Sequence, residues 1–448
     1  MPEQVPEQKT DVRDAGRRLL RRSAQGVSRV RRTMSRQPRL FLYFAILGPG
    51  VITACAGNDA GGIATFASLG ADYGYRLLWL LIPLTLSLGI VQEMCARMGA
   101  VTGKGLSDLI RERFGVRWTA FIMLALLIAN GGVTVSEFVG IAAAMELLGV
   151  ARYVSVPVAA MAIWWLVVKG TYQRVERVFL AMSLVFLAYV VSAFLAHPPW
   201  GTVARELVHP HFDLTAGYLF TLVAVVGTTI SPYMQVFIQS SVVEKGVRLE
   251  NFRMVRTDVW IGTVFAILIV FFIVVSTAAT LNVHGEHVDS AQQAARALRP
   301  LAGPYAEMLF AVGLFGASML AAGVLPLATA YSISEAFGFE KGVSSSFREA
   351  PIFIGVFTFL VAIGAFIAML PGLPLIHVLI VTQVINGLLL PIILFAILRL
   401  VNNRELMGEY VNGRLYNLGA WLTAIVVSAL SILLIIVTMF PNILPRVG

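Results

Sequence analysis

Eleven apolar stretches, each long enough to cross roughly 30 Å of hydrocarbon, organise this chain into a series of transmembrane helices. They fall at about 40–67, 75–97, 118–145, 152–170, 178–197, 214–241, 257–281, 305–336, 351–370, 375–399 and 418–440. Only helices and closed barrels satisfy every backbone polar group inside lipid, and runs of this length read as helices. The expectation is an all-α polytopic membrane protein. The composition agrees, with 58% of the 448 residues hydrophobic and 13% charged.

Charge sets the orientation. The first 40 residues carry eleven Lys and Arg. No short apolar core with a cleavage site follows, so this stretch is not a signal peptide. Residues 1–38 read as a basic cytoplasmic tail, with a weak amphipathic helix near Val12–Val30 that meets anionic lipid; no nucleic-acid partner is expected. With an inside N-terminus, 28 of the 34 Lys and Arg lie on the inner side, which places the C-terminus outside the plasma membrane. The outer loop at 282–304 holds a candidate surface helix at Ser290–Leu298. Cys55 and Cys95 sit within spans and read as small buried hydrophobes, with no disulfide or metal framework.

The spans are not uniform. The first is interrupted by Gly57, Asn58, Asp59, Ala60, Gly61 and Gly62, where glycines weaken the helix and a carboxylate stands in hydrocarbon. The sixth is interrupted at Gly227-Thr228-Thr229-Ile230-Ser231-Pro232-Tyr233, where Pro232 removes a donor and disfavours helix at Ser231. Five spans separate the breaks. Units 39–200 and 201–400 therefore read as inverted five-helix repeats, with an eleventh helix in 401–448, and both breaks meet at one midplane site.

The chemistry at that crossing is oxygen. Asp59 supplies the charge, with Thr228, Thr229, Ser231 and Tyr233, Asn58 and unwound carbonyls around it. Gln383 and Asn386 in the tenth span add amides that can close the site; polar glue between helices is the alternative for both and the preferred reading of Asn386. Hydroxyls in such spans also back-bond to helix carbonyls, which is the bland reading of all three. Hard cations prefer an all-oxygen set, and one carboxylate with small neighbours (Ala60, Gly61, Gly62, Ser231) suits a Mg²⁺ that keeps several waters. Met234 lies beyond Pro232 and is not counted as a ligand. Glu137 lies deep in the third span without a matching break, and divides evenly between packing and an ion or proton path. Glu93, Glu146, Glu307 and Glu335 lie nearer the span ends, and His377 is a lone, structural residue.

At these residues the chain resembles the natural resistance-associated macrophage protein (NRAMP) family of divalent metal transporters. The likeness runs through Gly48-Pro49-Gly50, Gln92–Arg97, Thr102-Gly103-Lys104, Arg111–Gly115, Glu137–Gly140, and Thr382-Gln383-Val384 with Pro391. It implies a LeuT-type fold, with Ala56 and Thr228 as backbone carbonyl ligands. The departures carry as much information. Where the family has Asp-Pro-Gly-Asn, this chain has Asp59-Ala60-Gly61-Gly62; where it has Met-Pro-His, this chain has Ser231-Pro232-Tyr233. The proton-transfer Asp that the family carries three residues before Glu137 is Thr134 here. The pattern looks like the NRAMP-related magnesium transporter branch, which carries Mg²⁺ and Mn²⁺ without evident proton coupling.

The resulting expectation is an alternating-access Mg²⁺ importer that also passes Mn²⁺, a monomer with no resident cofactor. Two rivals share the broken-helix plan: a proton-coupled Mn²⁺/Fe²⁺ symporter, disfavoured by the missing Met, His and Asn, and a LeuT-like carrier of amino acids, whose substrate carboxylate Asp59 would repel. A membrane enzyme finds no nucleophile motif, phosphate loop or His/Cys/Glu metal spacing.

Overall fold

An aspartate and two glycines decide where the first helices start and stop. In the computed structural model, described for residues 57–169, 187–213, 215–247, 249–296, 303, 306–340 and 349–439, the chain enters at Gly57 in a turn. Helix α1 then begins at Ala60 (Ala60–Tyr73), with Asp59 extended at its N-cap, and stops at Gly74 (φ 59°). Helix α2 (Leu81–Thr102) ends on the left-handed Gly103 (φ 65°), whose N–H returns to the Gly99 carbonyl. Then follow α3 (Leu106–Leu147), α4 (Arg152–Lys169), α5 (Leu187–Leu195) and the short α6 (Trp200–Glu206). The sixth span is two helices, α7 (Ala216–Thr229) and α8 (Pro232–Glu244). After them come α9 (Phe252–Thr280), α10 (Ala291–Arg296), α11 (Ala306–Phe337), α12 (Pro351–Ala368), α13 (Leu375–Val401), α14 (Arg404–Met407) and α15 (Arg414–Met439).

Among the described residues, nine helical stretches are long and apolar enough to cross a membrane. Their connections alternate between two ends of the bundle, called here the Gly74 end and the Gly103 end. At the Gly74 end, Asn282 Nδ2 donates to the Ala71 carbonyl at 2.7 Å. At the Gly103 end, Gln239 Nε2 donates to the Lys104 carbonyl at 2.9 Å. Apolar side chains stay exposed along the outer helices, including Phe121, Leu124 and Ile128 of α3 and Leu418, Leu422 and Ile425 of α15. In water that would be a liability, whereas lipid is the solvent such a surface fits.

Several boundaries move. The third span begins at Leu106 and not at 118, because an amphipathic leg is fused to it across Gly115, whose φ of 76° bends the helix. The first break is narrower than 57–62: Gly61 and Gly62 are helical, since the Asp59 cap restarts the helix at once. The break in the sixth span is confined to Ile230 and Ser231, with Pro232 at the first position of α8, where its missing N–H costs nothing. The candidate surface helix at 290–298 is helical over Ala291–Arg296. The tail and most of the first apolar segment, including Ala56 and Cys55, lie outside the described residues. Cys95 is buried and free, as a small hydrophobe.

Helix pairs near the breaks pack backbone to backbone. A Cβ on Gly227 of α7 would collide with the Gln383 carbonyl and the Gly387 backbone of α13, and one on Gly387 would lie 2.5 Å from the Val223 carbonyl. Small residues at a helix crossing are how spanning helices gain close van der Waals contact where lipid offers no hydrophobic drive.

Candidate metal site

Asp59 is fully buried and is the N-cap of α1. Its Oδ1 accepts from the Gly62 N–H at 2.5 Å, while Gln383 Nε2 spans both oxygens at 3.1 and 3.2 Å. Charge-assisted bonds of about 1.5–3 kcal/mol each are what keep a carboxylate tolerable in such a place. The free N–H groups and the positive end of the α1 dipole act in the same direction.

A second carboxylate reaches the same helix end. Glu137 Oε2 accepts from the Ala60 N–H at 3.1 Å, and Ser136 Oγ lies 3.3 Å from its Oε1. Sequence reasoning had found no break for Glu137 to serve; the fold gives it the one in the first span, 77 residues away. No local pattern encodes that contact, because it depends on how α3 crosses α1.

The space beside Gly62 is the centre of the arrangement. A Cβ placed there would lie 2.9 Å from the Gly57 carbonyl oxygen, 3.0 Å from Thr228 Oγ1 and 3.1 Å from Asp59 Oδ1. Thr228 Oγ1 is buried with no hydrogen-bond partner in the protein. A carbonyl, a hydroxyl and a carboxylate thus converge where no side chain intrudes. An orphaned hydroxyl at hydrocarbon depth costs about 1–3 kcal/mol unless water or an ion completes it.

The other predicted residues divide. Ser231 lies at the site, but its Oγ donates to the Gly227 carbonyl at 2.7 Å and leans on that of Thr228 at 3.2 Å. Asn386 joins the two sides: its Nδ2 donates to Ser231 Oγ and to Gln383 Oε1, both at 3.4 Å. That bridge is the inter-helix polar contact expected of it, made at the edge of the site. Thr229 turns back to the Val225 carbonyl at 2.6 Å, and Thr134 to that of Asn130 at 2.7 Å. Asn58 reaches sideways to the Ala266 carbonyl at 3.2 Å. Tyr233 is buried on α8. The room expected at Gly61 is filled by the Gln383 side chain, and the Cβ of Ala60 packs on Gly140 of α3, so both small residues serve packing. The Gly57 carbonyl went unnamed from sequence, although the break itself was the signal for it. Among the described residues no three His, Cys, Asp or Glu cluster, so beyond the carboxylates at the start of α1 a cation here relies on neutral oxygens.

An acid capping the start of α1, set beside hydroxyls at the break between α7 and α8, belongs to a transporter of the LeuT-type fold, two inverted five-helix repeats with an eleventh helix. The comparisons name the family. Residues 50–437 match the model for "Natural resistance-associated macrophage protein-like" proteins, and the chain belongs to that family. It is 30% identical over 440 residues to the divalent metal cation transporter MntH of Deinococcus radiodurans, covering 95% of this chain and 94% of that one. The same-named protein of Yersinia pestis is 26% identical over 412 residues, covering 90% and 97%. Among solved structures, the Eremococcus coleocola manganese transporter superposes with a TM-score of 0.72 at 18% identity, covering 91% of this chain and 90% of that one. Mhp1, a nucleobase-cation-symport-1 transporter, does so at 0.51 and 15% identity, covering 88% and 94%.

Proposed function

We propose that this chain takes up Mg²⁺, and Mn²⁺ with it, across the plasma membrane by alternating access, without moving protons. The substrate ion is held partly hydrated between the two breaks. Asp59 is its only charged ligand, joined by Thr228, carbonyls of the first break (Gly57 here, Ala56 by resemblance) and Gln383; Gly62 leaves room for water. Ser231, Asn58 and Thr229 stand in a second rank, because their polar groups are already engaged. The observation that carries this reading is the convergence of three oxygens beside Gly62, with Ser231 and Tyr233 where the family motif has a thioether and an imidazole. Hard oxygen ligands and space for water favour Mg²⁺, and soft ligands would favour transition metals. The names of the relatives support divalent cations as the substrate class. The protein needs no resident cofactor and acts as a transporter, not an enzyme. It works as a monomer, with N-terminus inside, C-terminus outside and a basic tail resting on anionic lipid.

Calorimetric titration of the purified chain with Mg²⁺, Mn²⁺ and Ca²⁺, paired with uptake into proteoliposomes, tests the site. Asp59→Ala should lose both binding and uptake while remaining monodisperse; near-normal uptake by that variant overturns the assignment. The proton-coupled reading keeps one specific support, the placement of Glu137 against Ala60 beside Asp59, and a luminal pH dye separates the two.

A further inference from the structure

We propose that the wedge between α2, α7 and α15 binds one acyl chain of an amine-headed phospholipid, drawn from the leaflet at the Gly74 end. The wedge encloses about 530 Å³ and is almost wholly apolar, lined by Leu222 and Val226 of α7 and by Val426 and Val427 of α15 among others. That volume lies within the range of sites that bury a small ligand, about 300–1,000 Å³. Its depth matches a single leaflet. From Trp79 at its mouth to Ile90 at its floor are eleven helical steps, about 16 Å. Half of a hydrocarbon core is about 15 Å.

The floor is shut by chemistry that a tail does not disturb. Ser87 Oγ and Thr423 Oγ1 lie 2.8 Å apart, joining α2 to α15, and Thr423 also donates to the Gly419 carbonyl at 2.9 Å. Gly419 then lies against Ile90, where a Cβ would come within 2.8 Å of the Ile90 Cδ1. Above this seam the helices part, and Leu86 and Leu422 remain more than half exposed along the opening. A groove open sideways at hydrocarbon depth is filled by the solvent found there, which is acyl chain.

The mouth selects the head group. Trp79 and Phe212 pair at 5.2 Å, an aromatic rim of the kind that sits at head-group level. Beside them is Asp213, an exposed carboxylate that accepts from the Thr215 N–H at 2.9 Å. An ammonium head group complements that charge, and an anionic phospholipid is repelled by it. The seated tail touches Leu222 and Val226, one turn before Thr228 and Thr229, so its presence restrains the end of α7.

The test uses the full chain in phosphatidylcholine vesicles with trace phosphatidylethanolamine spin-labelled near the acyl terminus. A motionally restricted component is expected, about two- to fivefold richer than with the same label on phosphatidylglycerol. Leu222→Trp with Val427→Trp fills the wedge and should remove that excess. Asp213→Asn leaves the wedge open and should level the head-group preference. Equal restriction of both lipids in the wild type, an excess that survives the paired tryptophans, or a preference unchanged by Asp213→Asn overturns the proposal. A wild-type dimer that the paired tryptophans convert to monomer, with lipid restriction unaltered, would assign the wedge to a second copy of the chain.

Discussion

Gly62→Ala is the sharpest perturbation of the proposed ion site, because it separates helix energetics from ligand geometry. Gly62 is helical, so alanine there gains up to about 1 kcal/mol of helix propensity. Against that stands the methyl group, which would lie 2.9 Å from a backbone oxygen and 3.0 and 3.1 Å from the Thr228 and Asp59 oxygens. Relief needs shifts of a few tenths of an ångström, and overpacking of this kind costs about 1–3 kcal/mol. The net change in stability therefore lies between nothing and a loss of about 3 kcal/mol. The effect on binding is larger. A Mg²⁺ bound to these oxygens at about 2.0–2.1 Å with its waters has no room beside the methyl. Disturbing even the outer partners of a metal ligand typically costs 10- to 100-fold, so apparent affinity should fall by at least about 100-fold. Gly62→Asn adds the same Cβ but carries an amide oxygen to the site, and should retain Mn²⁺ while losing Mg²⁺. Calorimetric titration of both variants, with thermal unfolding as the control, reads the difference. Wild-type Mg²⁺ affinity in a folded Gly62→Ala protein would refute the reasoning.

Three further outcomes follow from contacts elsewhere. In vesicles with a luminal pH dye, Mg²⁺ or Mn²⁺ entry should be electrogenic with no acidification; metal-dependent acidification that vanishes in Glu137→Gln would show a proton route through that carboxylate. Gly105→Ala would press a Cβ into the Glu335 carboxyl, which bonds Ser240 Oγ at 2.6 Å and the Ser107 N–H at 3.3 Å, and should lower stability by about 1–3 kcal/mol in a thermal melt; an unchanged midpoint would contradict that packing. Asp72, by its hydrogen bond and then its charge, holds the exposed His287 imidazole above its ordinary value. The pair therefore stabilises below about pH 6.5, and that stabilisation fades as pH rises through the raised value. The melting midpoint should show a small fall over that interval that His287→Gln abolishes, and equal profiles for the two proteins would rule it out.

Within the described residues, the spans and the break before Pro232 were legible because each is written locally: apolar runs in the length of the helices, and Gly and Pro at the interruption. Gly115 shows the limit. Residues 106–117 are polar enough to read as loop, and only the helix geometry joins them to α3. Within the site, Asp59 could be found because a carboxylate in hydrocarbon stands out. The partners of Glu137 and Asn386, which are Ala60, Ser231 and Gln383, are not written in any local pattern, because they come together only where helices distant in sequence cross. Ser231, Thr229 and Asn58 were chosen by residue type, and type says nothing of which way a hydroxyl or amide turns when a helix carbonyl lies within reach.

The contact of Gly227 with Gly387 bears on how such a bundle can move. Two helices whose backbones touch at a shared crossing have no cushion of side chains to slide on, so α7 and α13 are expected to move together as one lever. Thr228 rides on one arm and Gln383 on the other, and their separation should stay fixed through a transport cycle, as distance measurements between labels on α7 and α13 would register. The joint that yields must then lie between this lever and α1, where two amide–carboxylate hydrogen bonds from Gln383 to Asp59 act as the clasp. A cation bound at Asp59, as proposed above, would compete for the same carboxylate, so its arrival is expected to loosen that joint.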